Sequence, residues 1–337
     1  MGSVLFLLST LMLFLRGDLA LLLAALRGEA AVMKQVSDGQ RALARKLFFL
    51  AGILGGLRTD FRRYAGPLPR VFMIVSNHQS LADIPAVTVC FPRHPVRFVA
   101  KRELRRGIPY VSRSLRFGQS ALVSRTSDFG QGQQELRKLG ALSRDGICPM
   151  IFPEGTRSKT GRVREFFTGG VRVILERYPM PVLSVAVDGG QSIATIARVL
   201  LHLRGATFRV KPLTLYPAPR GKKEIAELLG RLKAEISGQV MQWRRVQQHG
   251  DKKNPTLRRE PLGRAFSEGC RQALKSLGLR SCLWHFSHSA VLRSLPLLKT
   301  IFTLISPPQV QKNFWVTIPT LAFLLRTSAM SFRPPFL

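Results

Sequence analysis

The segment IVSNHQSLADIP, residues 74–85, places an apolar run immediately before a turn and the start of a helix. The run ends before His78, and Pro85 fits a helix only in its first turn, so the helix is expected to begin between residues 80 and 83. A strand that leads directly into a helix is the repeating unit of α/β proteins. We therefore expect His78 at the end of a sheet strand, where such proteins place their sites.

The same alternation continues toward the C-terminus. Short apolar runs rich in β-branched residues alternate with stretches of helical periodicity from about residue 71. The strand-like runs are VFMIVS, VRFVA, SALVS, CPMIF, PVLSVAV and TFRVKPLTLY, and QGQQELRKLGALSR and GGVRVILERY have helical periodicity. Residues 223–243 are predicted to form the helix that closes the domain. The pattern predicts an α/β fold with a mixed, mostly parallel sheet flanked by helices.

The N-terminus is apolar but interrupted by charge. Residues 4–15 are too few to cross a bilayer of roughly 30 Å. Extending the run to residue 26 places Arg16 and Asp18 near its middle, at a cost of about 2.5–3.5 kcal/mol each. No positive charge precedes the run, which disfavours a signal peptide. We predict two short helices in the membrane interface, hinged at residues 16–18; the alternative is a pair of core helices in a soluble domain.

These patterns divide the chain into three predicted parts. Residues 1–54 form the membrane-associating helices, and residues 55–248 form the α/β domain. Residues 249–337 form a basic C-terminal extension to which the sequence assigns no role.

The charge balance points to an anionic partner. The chain has 52 Lys and Arg against 19 Asp and Glu, a formal charge of +33, which favours nucleic acid or an anionic membrane surface. It carries no zinc-finger spacing, no RNA-binding strand signature and no basic segment followed by heptads, so we expect the membrane surface and no nucleic acid. We expect no metal site, because no CxxC pair or zinc-ligand spacing includes the four cysteines, Cys90, Cys148, Cys270 and Cys282.

His78 and Asp83 lie one short turn apart in the sequence. A carboxylate at that position can accept a hydrogen bond from the imidazole, which fixes the tautomer and leaves the other ring nitrogen free to take a proton. The alternative is equally local: His78 is a turn residue and Asp83 caps the following helix. The spacing by itself leaves both interpretations open.

A second polar cluster follows the strand-like run CPMIF. Residues 152–158 read FPEGTRS, in which Gly155 allows a ligand to approach the backbone and Arg157 offers a planar fork suited to phosphate. The alternative is a glycine turn within a solvated basic loop. Arg125 ends another strand-like run and indicates little by itself.

Together these clusters resemble the glycerophospholipid acyltransferase family, in particular the bacterial 1-acyl-glycerol-3-phosphate acyltransferases. The family's NHxxxxD motif is met by Asn77, His78 and Asp83, and its FPEGTRS motif matches residues 152–158 without a mismatch. The proline-centred fourth motif resembles YPMPVLSVAVDGG, with Pro181 in the central place. Order and spacing agree over roughly residues 55–245.

Two positions depart from the family pattern. The second motif usually has a glycine three residues before its aromatic or aliphatic pair, where this chain has Gln119. After the third motif, Phe167 stands where many members have a lysine. If that lysine holds phosphate, a nearby arginine must substitute for it: Arg162, Arg164 or Arg172.

The resemblance implies a glycerolipid acyltransferase fold and direct acyl transfer from a thioester to an alcohol. His78 is expected to deprotonate the acceptor hydroxyl, and Asp83 to orient the imidazole. Glu154 is expected to position Arg157 or a substrate hydroxyl. The residues expected to grip the acceptor phosphate are Arg125, Gly155, Thr156 and Arg157. No cofactor is implied, since acyl-CoA or acyl-carrier protein is a co-substrate.

The implied reaction converts lysophosphatidate to phosphatidate in phospholipid synthesis. Its substrates indicate a peripheral or monotopic protein on the cytoplasmic face of the inner cell membrane. Two alternatives stay open: transfer to another lysolipid or to an aminoacyl lipid, and a non-catalytic relative that binds a membrane or nucleic acid.

Overall fold

Seven strands form one sheet in the part of the chain that the computed structural model describes, residues 2–123 and 129–253. The sheet order is β1-β7-β6-β2-β5-β3-β4, and every neighbouring pair is parallel except β6 and β7. The predicted mixed, mostly parallel sheet is confirmed. The strands are β1 (Arg58–Phe61), β2 (Met73–Ser76), β3 (Val96–Lys101), β4 (Ala121–Val123), β5 (Cys148–Ile151), β6 (Val182–Asp188) and β7 (Thr207–Tyr216).

Eight α-helices accompany the sheet within the same described ranges. One face of the sheet packs against α2 and α3, and the other packs against α5, α6 and α8. The helices are α1 (Gly2–Ala25), α2 (Glu29–Ile53), α3 (Asp83–Cys90), α4 (Val111–Phe117), α5 (Phe129–Ala141), α6 (Thr168–Leu175), α7 (Ile196–His202) and α8 (Gly221–Lys253). Short 3-10 helices span Arg102–Arg105, Leu142–Asp145 and Gly190–Ile193.

The central strand β2 is buried on both faces. Ile74 packs into the cluster under α2 and α3, while Met73 and Val75 pack into the cluster under α5, α6 and α8. This alternation follows from the two-residue period of a strand. Because β5 and β6 both pair with β2 in parallel, the loops after all three strands meet at one edge of the sheet. The helix after β2 begins at Asp83, within the predicted range.

The predicted hinge at residues 16–18 is wrong, because α1 runs unbroken from Gly2 to Ala25. The residues that suggested a break instead dock the helix onto α4. A Cβ on Gly17 would lie 2.6 Å from the Tyr110 ring, and the Asp18 carboxylate accepts hydrogen bonds of 2.9 Å from Tyr110 N and Arg113 Nε.

The first two helices form an antiparallel pair, since Gly2 at the start of α1 lies against Leu54, just after α2. α2 buries Val36 and Phe48, whereas α1 leaves a row of large apolar side chains exposed. By length and composition alone α1 could also cross a membrane. The exposed members of the row include Leu5, Leu8, Met12, Leu15, Leu19, Leu22 and Leu23.

The helix predicted over residues 223–243 is longer in the structure. It is α8, Gly221–Lys253, and the predicted boundary at residue 248 falls inside it. The remainder of the predicted C-terminal extension, residues 254–337, lies outside the described residues.

Candidate active site

The structure brings His78 and Asp83 into direct contact at the end of β2. The His78 Nδ1 atom lies 2.8 Å from Asp83 Oδ2, and the carboxylate side chain is fully buried. With Nδ1–H donating to the carboxylate, the lone pair of Nε2 is free to accept a proton from a substrate. The histidine keeps 14% of its side chain exposed, enough for access from the edge of the sheet.

Asp83 also organises the turn that carries the histidine. Its Oδ2 accepts hydrogen bonds from Gln79 N at 2.5 Å and Ser80 N at 2.7 Å, and its Oδ1 accepts from Ser80 Oγ at 3.0 Å. The N-cap of α3 is Ala82, with no side-chain cap bond, so the carboxylate holds the turn before the helix. Asp83 therefore contacts the imidazole and also holds the turn, but it is not the N-cap residue of α3.

Gly190 is a residue of this site to which the sequence assigned no role. A Cβ at this position would lie 2.5 Å from Asp83 Oδ1 and 2.8 Å from Ser80 Oγ. Only glycine lets the chain after β6 pass this close to the carboxylate. The signal in the sequence is the pair of glycines that directly follows β6.

The FPEGTRS loop holds the histidine from the other side. The Glu154 side chain is 1% exposed, and its Oε1 accepts a 3.0 Å hydrogen bond from His78 N. Ser158 N donates to His78 O at 2.8 Å, and the Phe152 ring stacks on the imidazole with centroids 4.0 Å apart. The contact of Glu154 is thus with the histidine backbone.

Burial raises the pKa of the Glu154 carboxyl from its ordinary value of 4.5 to about 7, although the hydrogen bond from His78 N and the nearby charge of Arg164 oppose the rise. Of the three arginines named as substitutes for the missing lysine, Arg164 therefore lies close to this loop. Arg172 of α6 instead faces Glu176, the residue after the helix, with Nε 3.8 Å from Glu176 Oε1.

Three of the four expected phosphate ligands lie at the exposed turn of the FPEGTRS loop. Gly155 has φ +62°, the left-handed region that favours glycine, and its backbone is exposed. Thr156 is half-buried beside it. Arg157 is exposed and makes no hydrogen bond or ion pair with the rest of the described chain. Arg125, the fourth expected ligand, lies outside the described residues.

The arrangement places a candidate base beside a loop that could bind an anion. His78 offers a free ring nitrogen, and the loop bonded to its peptide carries an unengaged guanidinium next to an exposed glycine backbone. Such a pair can deprotonate a hydroxyl on a molecule whose phosphate is held close by.

Comparison with known proteins gives a consistent set of relatives. The sequence model of the Acyltransferase family matches residues 67–188. A 1-acyl-sn-glycerol-3-phosphate acyltransferase of Pseudomonas aeruginosa is 24% identical over 225 residues, which cover 63% of this chain and 80% of that protein. The lysophospholipid acyltransferase LPCAT4 of Xenopus tropicalis is 28% identical over 189 residues, covering 52% of this chain and 35% of that protein.

A solved structure has the same fold. The crystal structure of the 1-acyl-sn-glycerophosphate acyltransferase PlsC from Thermotoga maritima superposes with a TM-score of 0.53 at 22% identity. The match covers 72% of this chain and 98% of that one. The matched family segment, residues 67–188, contains His78, Asp83 and the whole FPEGTRS loop.

Proposed function

We propose that this chain, a member of the glycerophospholipid acyltransferase family, moves a fatty acyl group to the free hydroxyl of 1-acyl-glycerol-3-phosphate, giving phosphatidate. The observation that carries the proposal is the 2.8 Å contact of His78 with Asp83, placed beside the FPEGTRS loop. A binding module has no need of an oriented base.

The geometry of the pair supports the following reaction. His78 Nε2 takes the proton of the glycerol hydroxyl as its oxygen attacks the thioester carbonyl. A new C–O bond forms, the C–S bond breaks, and the leaving thiolate recovers the proton from the imidazolium. Asp83 holds the ring in one tautomer and stabilises its positive charge. No protein nucleophile is required, since a thiolate is a good leaving group.

The acceptor's phosphate is assigned to the outer side of the FPEGTRS loop. Arg157 provides a planar pair of donors, and Gly155 and Thr156 provide backbone and hydroxyl groups beside it. Arg125 is assigned to the same phosphate. What supports the assignment is that Arg157 is exposed and unengaged while its loop is bonded to the His78 peptide.

The acyl donor is proposed to be acyl-CoA or acyl-carrier protein, and the reaction is proposed to need no resident metal or cofactor. The protein is proposed to act at the cytoplasmic face of the inner membrane, where a bilayer lipid meets a donor dissolved in water. The exposed apolar row of α1 and the charge of +33 support this location.

A different lysolipid acceptor is the second candidate. Phe167, at the end of the loop, is 64% exposed and stands where many family members have a lysine. An apolar side chain there weakens the case for an acceptor whose headgroup is phosphate alone.

An acceptor panel separates the two candidates. We would assay the purified full chain in mixed micelles with labelled acyl-CoA or acyl-carrier protein and lysolipids that carry phosphate, choline, ethanolamine or glycerol headgroups. We expect lysophosphatidate to react fastest. Arg157→Met should raise the KM for lysophosphatidate by about tenfold or more and leave the KM for the donor unchanged.

The matched control is Arg231→Met. It removes an exposed arginine of α8 that lies over the Tyr216 ring of β7. Transfer to other lysolipids without lysophosphatidate would discard the proposed acceptor and keep the mechanism. No transfer from either donor to any lysolipid would contradict the proposed function.

A further inference from the structure

Two side-chain donors and two acceptors meet beside the candidate active site, and we call this cluster the Arg244 junction. The amide Nε2 of Gln79 donates to Gly161 O at 3.0 Å and to Asp188 Oδ1 at 3.2 Å. Arg244 Nη2, from α8, donates to the same two atoms at 2.8 Å and 2.9 Å. The two donors are therefore fixed relative to each other through shared acceptors.

The junction is buried on the domain side, and two arginines face its carboxylate. Gln79 and Asp188 are almost completely buried, so their polar groups depend on these partners. The Arg244 guanidinium neutralises the Asp188 carboxylate. A second arginine, Arg209 of β7, approaches the other oxygen of Asp188 at 3.8 Å, and its guanidinium donates a hydrogen bond to Gln247 Oε1 at 3.2 Å.

Each domain-side member of the junction belongs to a different loop of the site. Gln79 follows His78, and its backbone N–H donates to Asp83. Gly161 belongs to the continuation of the FPEGTRS loop, and Asp188 ends β6, two residues before Gly190. The loops after β2 and β5 and the end of β6 are therefore tied together at one point, and α8 supplies the positively charged member.

The Arg244 guanidinium packs closely against the Gly161 backbone. Gly161 has φ +75°, and a Cβ there would collide with Arg244 Nη2. Arg244 lies outside residues 67–188, the segment that the Acyltransferase family model matches. Its contact with the site is thus a feature of this chain beyond the matched segment.

We propose that Arg244 is a positioning residue for the acyl transfer. It sets the distance between the His78–Asp83 pair and the loop that grips the acceptor, through Gln79 on one side and Gly161 on the other. The inference rests on the proposed function. Since proximity effects are steep, a shift of about 1 Å between base and acceptor can cost on the order of 100-fold in rate.

Steady-state kinetics of the full chain with acyl-CoA and lysophosphatidate test the role. For Arg244→Met we expect kcat to fall by about 10- to 100-fold, with KM for acyl-CoA within about twofold of wild type. A residue needed only for folding would lower the amount of active enzyme and the melting temperature and leave the kcat of the folded fraction unchanged. Active-site concentration and Tm are therefore measured for every variant.

Two further variants make the result specific. Arg209→Gln removes the other positive charge facing Asp188 and should keep kcat within about twofold of wild type. Arg244→Lys keeps the charge but presents a single ammonium, and it should retain more activity than Arg244→Met. If the methionine variant does not fold, the kinetics of Arg244→Lys are compared with those of wild type instead. The double variant Gln79→Ala/Arg244→Met should lose no more than the worse single variant, because both act through one junction.

Three results would overturn the inference: an Arg244→Met kcat within twofold of wild type, an equal loss in Arg209→Gln, or additive losses in the double variant. Failure of the proposed function is recognised separately, since the wild-type chain would then show no transfer at all.

Discussion

One carboxylate serves two purposes in this site. Asp83 accepts a hydrogen bond from His78 Nδ1 and further bonds from the backbone of Gln79 and Ser80. The ring orientation and the turn that carries the ring therefore depend on the same buried group. Because the backbone bonds fix the carboxylate in advance, the proposed base would need little reorganisation during the reaction.

Gly190→Ala tests the space around this carboxylate. The new methyl group would lie 2.5 Å from Asp83 Oδ1, so the carboxylate or the chain after β6 must shift. We expect kcat to fall by on the order of tenfold or more, and the free energy of unfolding to fall by about 1–3 kcal/mol.

The control is Gly230→Ala on α8, where an added methyl group meets nothing within 4 Å. It should raise the free energy of unfolding by about 0.5–1 kcal/mol and leave kcat unchanged. Wild-type activity in Gly190→Ala would show that the close approach has no bearing on the base.

The raised pKa of Glu154 predicts that the stability of the protein depends on pH. The folded carboxyl keeps its proton up to about pH 7, while the unfolded one, with its ordinary pKa of 4.5, releases it earlier. Unfolding therefore releases a proton between these values, and the free energy of unfolding falls as pH rises from 4.5 to 7, by on the order of 1–3 kcal/mol.

Glu154→Gln keeps an oxygen that can accept from His78 N and removes the titration. Urea unfolding across this pH range should show a flatter profile for the variant than for wild type. Parallel profiles would mean that the buried carboxyl does not retain its proton.

The residues of the site differ in how far the sequence could reveal them. His78 and Asp83 are five positions apart, so one turn brings them together and a local pattern predicts the pair. Gly190 and Arg244 reach the same place from distant parts of the chain, and no local pattern indicates which glycine or arginine will do so. The partner of Glu154 was missed because the sequence does not show which face of the loop is buried.

Among the secondary-structure elements, the buried central strands were predictable from the sequence and the edge strand β1 was not. β2, β5 and β6 have all of their residues buried, so continuous apolar runs mark them in the sequence. β1 reads RTDF and is polar, and it is a strand because it pairs with β7. The unbroken course of α1 was also unpredictable locally, since it depends on the contact of Asp18 with α4.

The contact between α1 and α4 is expected to stabilise the protein. Asp18 accepts hydrogen bonds of 2.9 Å and 3.1 Å from the Arg113 guanidinium, and both side chains are mostly buried. A double-mutant cycle with Asp18→Ala and Arg113→Ala should give a coupling energy of about 1 kcal/mol in detergent solution.

The exposed i,i+4 pair of Lys34 and Asp38 on α2 is the comparison, with an expected coupling of about 0.3–0.5 kcal/mol. Equal coupling in the two pairs would mean that Asp18 does not anchor α1 to the domain.

At the scale of the whole molecule, we propose that net charge and exposed apolar surface act together at a membrane. Composition alone predicted a partner with negative charge, and the structure adds a row of exposed apolar side chains along α1. An anionic bilayer satisfies both features, because its surface attracts the net charge and its interior accepts the apolar row.

Vesicle sedimentation measures this association. The double substitution Leu19→Glu/Leu23→Glu changes two exposed residues of the row and should reduce binding to anionic vesicles by about tenfold or more. Val246→Glu, an exposed apolar residue on α8, should have little effect. Equal binding by the α1 variant and wild type would place the membrane contact elsewhere on the molecule.

The central claim is that His78 is the base of an acyl transfer, and the direct measurement is the initial rate of labelled acyl transfer to lysophosphatidate by His78→Ala beside wild type. We predict a loss in kcat of on the order of 10²–10⁴-fold with an unchanged melting temperature, since the side chain is partly exposed and supplies the proton acceptor. A folded His78→Ala protein that transfers the acyl group at a rate near that of wild type would contradict the account.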